Sequence, residues 1–118
     1  MRPTVKNNLA LFNPSGFLDG ESAKAIIEPH DIALLVEKRC EFALISLKKI
    51  IFFNKRGLGI IVELLGQIQE KTGAIVGFCD YDYKKYKTIL EMYQNRITFS
   101  LFETSEIATL FIANTSNK

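Results

Sequence analysis

The sequence predicts an α/β fold, in which a small mixed, mainly parallel β-sheet carries about four helices packed mostly on one face. Short apolar runs typical of buried strands alternate with longer segments in which apolar residues recur every three or four positions, as in helices. Glycine, proline and asparagine separate these segments, as expected at turns and helix ends. Strands that alternate with helices favour a parallel sheet, because each helix returns the chain to the start of the next strand.

The first strand is predicted at Leu9–Phe12, and the Asn-Pro-Ser-Gly sequence of residues 13–16 is typical of a turn or bulge. Asp19 begins a stretch of capping and acidic residues that indicates a helix start. Helical spacing continues over residues 23–38. Because proline has no backbone N–H to donate, Pro29 predicts a kink or a division into two helices.

The middle of the chain carries the clearest patterns. Residues 42–47 form an apolar run without a breaker, typical of a strand covered on both faces. Residues 48–53 end in four apolar residues that we also expect to be buried. The strongest helical pattern spans residues 58–71 and closes at Gly73, which suits the left-handed position after a last turn. A short buried strand is expected at residues 74–78.

The last third predicts a helix over residues 80–93, a strand over residues 97–102 and a final helix capped by Thr104. The final helix carries Ile107, Leu110 and Phe111. In the helix over residues 80–93, apolar and aromatic residues at helical spacing predict a buried stripe beside a solvated lysine face: Tyr83, Tyr86, Ile89, Leu90 and Tyr93. Tyrosines interleaved with lysines would also suit stacking on single-stranded nucleic acid, but we favour the stripe.

Composition limits the classes of function. A chain of 118 residues fits one domain, which we place over residues 1–118 with a core from about 9 to 112. With 47% hydrophobic and 24% charged residues, it has the composition of a folded globular domain. A net charge of +2 is too small to indicate a nucleic-acid partner. Apolar runs are far shorter than the ~18 residues of a spanning helix, so we expect no direct membrane insertion.

The reactive residue types are few. Two cysteines, Cys40 and Cys79, without a secretion signal favour a reducing compartment, which we take to be the cytoplasm. The single histidine, His30, has no cysteine or second histidine near it in sequence, which argues against a metal site. The motif spacing gives no nucleophile with a paired base. We therefore predict no enzyme activity, no metal and no cofactor.

Two segments look like the motifs of a known family. The Ser-Gly-Phe-Leu-Asp sequence of residues 15–19 resembles a G-x-L-D turn, and the Phe-Asn-Lys-Arg-Gly-Leu-Gly-Ile-Ile sequence of residues 53–61 resembles a D-S-S-G-L-G loop. These are motifs of the STAS domains, a family that includes the anti-sigma-factor antagonists, and the resemblance extends from about Leu9 to Ile112. It implies a small sheet with helices mostly on one face and a partner-binding surface around the second helix. In the bacterial members that regulate sigma factors, a kinase phosphorylates the serine before G-L-G, and the modification breaks the contact with the kinase.

The chain departs from this pattern at the loop itself. Arg56 occupies the phosphoacceptor position, Lys55 replaces the other serine and Asn54 replaces the aspartate, while Asp19 still matches. Arginine has no hydroxyl, so we expect no serine phosphorylation at this position. Cations in the first turn of a helix oppose its dipole. Lys55 and Arg56 are therefore either a permanent positive patch for an acidic surface or phosphate group, or two solvated side chains left after loss of the switch.

The resemblance places the partner-binding region in the loop and helix at residues 54–65. The candidate residues are Asp19, Asn54, Lys55, Arg56, Leu58, Ile61 and Leu64. Gly57 is expected to allow a tight turn into the helix and Gly59 close packing of the helix on the sheet, unless the exposed amides bind an anion. A second apolar row at Ile60, Leu64 and Ile68 is either a candidate interface or part of a wider buried face.

The function implied is a regulatory protein-interaction module of a bacterial cytoplasm, acting by competition for a surface without phosphorylation of its own loop. The partner would be an anti-sigma kinase-like protein, a phosphatase or another regulator, and self-association is left open. Two alternatives remain: a soluble subunit of a lipid-transporting ABC complex, and a nucleotide- or anion-sensing domain.

Overall fold

A computed structural model of the chain describes residues 1–92 and 99–116. Within these residues, the chain forms seven strands and five helices, in the order β1-β2-β3-α1-α2-β4-β5-α3-β6-α4-β7-α5. The strands are β1 (Thr4–Lys6), β2 (Leu9–Phe12), β3 (Ser15–Leu18), β4 (Phe42–Ser46), β5 (Lys49–Phe53), β6 (Ile75–Cys79) and β7 (Phe99–Phe102). The helices are α1 (Gly20–Lys24), α2 (Pro29–Glu37), α3 (Lys55–Thr72), α4 (Tyr83–Met92) and α5 (Ser105–Ser116).

The described strands form two sheets. The larger has the order β1-β2-β4-β6-β7, in which β1 is antiparallel to β2 and the other pairs are parallel. The smaller consists of β3 and β5, paired in parallel with a register shift between Gly16 and Phe17. The predicted mixed, mainly parallel sheet is confirmed.

Alternation along the strands divides the core between the two faces of the larger sheet. In β4, Ala43 and Ile45 point into the cluster that also contains the buried residues of α1, α2, α3 and α4. Phe42 and Leu44 point to the other face, where Ala108 and Ile112 of α5 cover them. Every residue of β4 is buried, which confirms the prediction of a strand covered on both faces. Four helices thus lie on one face of the larger sheet and α5 lies on the other, which confirms the prediction of helices packed mostly on one face.

The predicted division of the first helical segment is confirmed. Pro29 is the first residue of α2, where its missing N–H has no helical partner to lose. The Glu28 N–H donates to the Asp31 carboxylate over 3.0 Å, which fixes the start of this helix. Gly73 ends α3 in the left-handed conformation, with φ of +74°, also as predicted.

Two predictions of burial are wrong in part. At the apolar end of β5, Ile50 is buried and Phe53 half-buried as expected, but Ile51 is 74% and Phe52 57% exposed. The small sheet explains this, because β5 pairs with β3 and leaves part of its surface uncovered. The buried stripe predicted for the helix over residues 80–93 is wrong at Tyr83, which is 78% exposed. Ile89 of the same stripe is buried as expected. Residues 93–98, and with them Tyr93 and the predicted start of the last strand, lie outside the described residues, as do the side chains of Tyr86 and Leu90.

The sequence analysis missed β1. Of the turn or bulge predicted for residues 13–16, the structure favours the bulge, since residues 15–16 belong to β3 and its register shifts after Gly16. Thr104 caps α5 as predicted, since its hydroxyl oxygen accepts the Ile107 N–H over 3.1 Å.

In the described part of the chain, no helix combines the length and the apolar character that crossing a membrane requires.

Candidate functional site

The start of α3 is fixed by Asn54, which follows β5 directly. Its side-chain oxygen accepts the Gly57 N–H over 2.7 Å, and its carbonyl accepts the Leu58 N–H over 3.0 Å. Its own N–H donates to the Leu18 carbonyl over 3.2 Å, which ties the cap to the end of β3. The helix therefore begins at Lys55, three residues before the predicted start, because asparagine is a favoured N-cap and draws the loop into the first turn.

Removal of this cap should be measurable. We expect Asn54→Ala to lower the free energy of unfolding by about 1 kcal/mol, because the Gly57 N–H loses its acceptor. Asn54→Asp should be neutral or stabilising, since aspartate caps equally well and its charge suits the helix dipole. Urea unfolding followed by circular dichroism measures both. Equal stability of the alanine variant and the parent would show that the cap contributes nothing.

Gly57 is required by the close approach of α3 to the end of β3. A Cβ at this position would lie 2.2 Å from the Leu18 carbonyl oxygen and 3.0 Å from the Asp19 Cα. A side chain here would push the helix away from the strand. Gly59 differs from its prediction: beyond its chain neighbours and the helix's own backbone, no described atom lies within 4 Å of its Cβ position. The close packing expected at Gly59 is therefore provided at Gly57 instead.

Lys55 and Arg56 are both exposed in the first turn of α3, which contains no acidic residue. Among the described residues, neither makes an ion pair. The Arg56 side chain lies over Gly20, where a Cβ would meet its Nε at 2.6 Å. The guanidinium is thus placed beside the first residue of α1, and the missing side chain at position 20 makes the space for it.

Asp19 lies at the same place, as the N-cap of α1. Its Oδ1 accepts the Glu21 N–H over 3.0 Å and the Ser22 N–H over 2.9 Å. Hydrogen bonds from the backbone and then the hydroxyl of Ser22 hold the pKa of the Asp19 carboxyl below its usual value. The stabilisation by this carboxylate is present above the ordinary aspartate pKa and is lost as the pH falls through the lowered value. The structure therefore brings Asp19 together with residues 54–57, as the sequence analysis placed them.

The apolar candidates on α3 have another role. Leu58 and Ile61 are fully buried in the core, so a partner cannot contact them in this conformation. We correct their assignment from contact residues to residues that hold α3 on the sheet. Leu64 and Ile60 are half-buried and pack against the same core, while Ile68 is fully buried. The second apolar row is therefore mostly part of a wider buried face.

An exposed aromatic pair next to the cap was missed. Phe17 is opposite Phe52 in the register of the small sheet, and the two rings meet edge to face with their centroids 6.3 Å apart. Phe17 is 63% exposed. Nothing in an uninterrupted apolar run distinguishes an exposed strand from a buried one, so the sequence held no signal for this surface.

Comparisons with known proteins gave no matching family model and no matching curated protein. Solved structures do match. The anti-sigma factor antagonist SpoIIAA in its unphosphorylated form superposes with a TM-score of 0.62 and 11% identity, over 94% of each chain. A putative anti-sigma factor antagonist from Thermotoga maritima gives 0.67 and 17%, over 94% of this chain and 92% of that one.

Transporter structures match equally well. A sulfate transporter family protein from Wolinella succinogenes gives a TM-score of 0.63 at 10% identity, over 98% of this chain and 93% of that one. SLC26A9 gives 0.66 at 13%, over 93% of this chain but only 20% of its own. The chain has a STAS-like fold. At these sequence identities the structural similarity establishes the fold alone and not the role of the STAS-like domain.

A second group of polar side chains lies at the carboxyl ends of β4 and β6. The buried Ser46 hydroxyl donates to the Asp80 carboxylate over 2.6 Å. Burial, with the nearby Asp80 charge, raises the pKa of the Cys79 thiol far above its usual value, so this cysteine stays protonated and is a poor nucleophile. In the described residues, histidine, cysteine, aspartate and glutamate form no group of three or more that could hold a metal ion. His30 is exposed and lies 3.4 Å from the Asp31 carboxylate.

Proposed function

We propose that this STAS-like domain is a regulatory protein-interaction module that binds an acidic partner surface through the first turn of α3. The contact residues would be Lys55 and Arg56, with Asn54 and Asp19 holding the two helix starts in place. Leu58 and Ile61 position the helix from below, and Leu64 contributes only its exposed part.

The observation that supports this proposal is the placement of two exposed cations, which make no ion pair with a described residue, at the positive end of an 18-residue helix. Each cation there costs about 0.3–1 kcal/mol when exposed. An anionic group docked against the turn would offset this cost and would also meet the N–H groups of Lys55 and Arg56, which do not donate to the Asn54 cap. The Arg56 side chain is already placed over Gly20, so less side-chain freedom is lost on binding.

The permanence of this charge indicates how the module would act. In the antagonists that the loop resembles, a phosphate added before G-L-G ends the contact with a kinase. Arg56 cannot accept phosphate on a hydroxyl, so binding here would be constitutive and limited by competition for the surface. An anti-sigma kinase-like protein, a phosphatase or another regulator with an acidic face would suit this role, as a bacterial cytoplasmic partner.

The test is affinity capture of the tagged chain from its native cell, followed by mass spectrometry and a binding measurement on the captured protein. We expect Lys55→Glu/Arg56→Glu to weaken the affinity at least tenfold, because attraction becomes repulsion. Affinity of the parent should fall as salt is raised from 50 to 300 mM, as expected for exposed charges.

A matched control is available at the opposite end of the same helix. Lys38→Glu/Lys71→Glu makes the same change of charge at two exposed residues, Lys71 in the last turn of α3 and Lys38 directly after α2. Lys71 lies about 24 Å from Lys55 along the helix, from a rise of 1.5 Å per residue. This variant should bind like the parent. Unchanged affinity of Lys55→Glu/Arg56→Glu, with its fold intact by circular dichroism, would rule out the proposed contact.

A second candidate function is a transport-associated role. Two of the structural matches are a sulfate transporter family protein and SLC26A9, and STAS-like subunits of lipid-transporting ABC complexes are the related alternative. The same capture experiment separates the two functions. An ATP-binding cassette protein or a transporter, recovered in constant ratio to the chain, would favour the second candidate.

A further inference from the structure

The small sheet has a strand edge that the described residues leave without a neighbour. Within residues 1–92 and 99–116, β5 pairs with β3 and with no other strand. An edge strand presents backbone N–H and C=O groups that can pair with another extended segment. Soluble proteins usually protect such edges, and β5 has an exposed lysine, Lys49, and a register that skips Ile51. It nevertheless carries two exposed apolar residues, Ile51 and Phe52.

A groove of about 200 Å³ runs between β5 and α4. It is lined by Ile51, Phe52, Phe53, Asp82, Lys84, Lys85 and Thr88. Of the described residues, those of β3 do not line it, which puts the groove on the side of β5 away from its paired strand. Its volume is below the ~300–1,000 Å³ typical of sites for drug-sized ligands. It therefore suits an extended chain that adds to the strand edge and places single side chains in the groove.

The charge at the groove selects the chemistry of this chain. The Lys85 ammonium lies 3.6 Å from the Asp82 carboxylate and donates to the Leu47 carbonyl over 3.4 Å, so this pair is internally balanced. Lys84 lines the groove and Lys49 starts β5, and both are exposed and make no ion pair with a described residue. The net charge available to a bound segment is therefore positive.

We propose that the groove between β5 and α4 binds an extended acidic segment of a partner protein, which adds to β5 as a third strand of the small sheet. Main-chain hydrogen bonds to the strand edge would supply affinity, as in other cases of strand addition. Residues of the added strand that contact Ile51 and Phe52 would be apolar, and residues near Lys49 and Lys84 would be acidic. This surface is separate from Lys55 and Arg56, so the proposal goes beyond the function proposed above.

The experiment is a selection of random twelve-residue peptides displayed against the full chain, with the most enriched peptides then synthesised. Expected peptides combine apolar with acidic residues. Methylation of their backbone nitrogens at every second residue should abolish binding in one of the two registers, because the methyl group removes the hydrogen-bond donor. On binding, the β5 amides should exchange their hydrogens at least tenfold more slowly.

Two substitutions in the groove should each weaken binding at least tenfold: Ile51→Glu and Lys84→Glu. Both side chains are exposed, so the fold should survive. Val36→Glu is the matched control for the first, as an exposed apolar residue of α2, and Lys87→Glu for the second, as an exposed lysine of α4 outside the groove. Neither control should change affinity by more than about twofold. Lys55→Glu/Arg56→Glu should still bind these peptides, which separates this outcome from that of the proposed function.

Three results would overturn the proposal. The first is a selection without enrichment, or one whose peptides bind Ile51→Glu and Lys84→Glu as tightly as the parent. The second is full binding of peptides methylated in either register. The third is a concentration-dependent dimer in sedimentation that Ile51→Glu abolishes, since the occupant of the edge would then be a second copy of the chain.

Discussion

Gly57→Ala is expected to lower the free energy of unfolding by about 3 kcal/mol, the scale of severe overpacking. The added methyl group would lie 2.2 Å from the carbonyl oxygen of Leu18 and 2.7 Å from its carbonyl carbon. These are backbone atoms of β3, which cannot rotate away as a side chain can. The helix and the strand would have to separate, and the hydrogen bond from Asn54 N–H to the Leu18 carbonyl would be strained at the same time.

Gly59→Ala is the matched control, two residues further along the same helix. Among the described residues, no atom outside its own helical surroundings lies within 4 Å of the new Cβ. Alanine in a helix interior is favoured over glycine by about 0.5–1 kcal/mol, so this variant should be more stable than the parent. Urea unfolding of both variants measures the contrast. The close approach would be disproved by Gly57→Ala and Gly59→Ala having the same stability.

Ile61→Ala should cost about 2–5 kcal/mol, because this side chain is fully buried between α3 and the sheet and its removal leaves a cavity. Ile51→Ala provides the control with the same chemical change at a side chain that is 74% exposed. It should alter the free energy of unfolding by no more than about 0.5 kcal/mol. Denaturant titration of the two variants and the parent gives both values.

This pair of variants decides the role of Ile61. If Ile61 holds α3 in place, Ile61→Ala should be much less stable than the parent. Under conditions where this variant is folded, its affinity for a captured partner should be nearly unchanged. A variant with parental stability and weakened partner binding would restore Ile61 to the contact surface and contradict its burial in the structure.

Much of the fold could be predicted from short-range signals. Asp19, Pro29 and Gly73 each act on the backbone within a few residues, through a cap, a missing donor or a left-handed φ, and the structure confirms all three. The run over residues 42–47 was correctly predicted as a strand covered on both faces, because it contains no breaker and is almost entirely apolar.

Burial outside the central sheet could not be predicted in the same way. Residues 50–53 form an apolar run like that of β4, yet Ile51 and Phe52 face out because β5 lies in a separate two-stranded sheet. Which strands share a sheet depends on pairing between distant segments, such as β3 with β5, and periodicity within one segment carries no information on it. The predicted burial of Tyr83 is also wrong. The helix α4 begins at this residue, whereas the prediction placed Tyr83 inside a helix that starts at residue 80.

The candidate site was predicted in position but not in its internal roles. Asp19 and residues 54–57 do meet, as the resemblance implied, and Lys55 and Arg56 are exposed there. Leu58 and Ile61 were grouped with them although a helix turns by about 100° per residue. The side chains that follow the cations therefore point into the core, and sequence adjacency alone does not show which way each one faces.

The guanidinium of Arg56 rests on the bare backbone of Gly20. Any larger residue at position 20 would redirect that cation without changing the charge of the protein. Under the proposed function, the choice among acidic partners would then depend on a position that carries no functional group of its own.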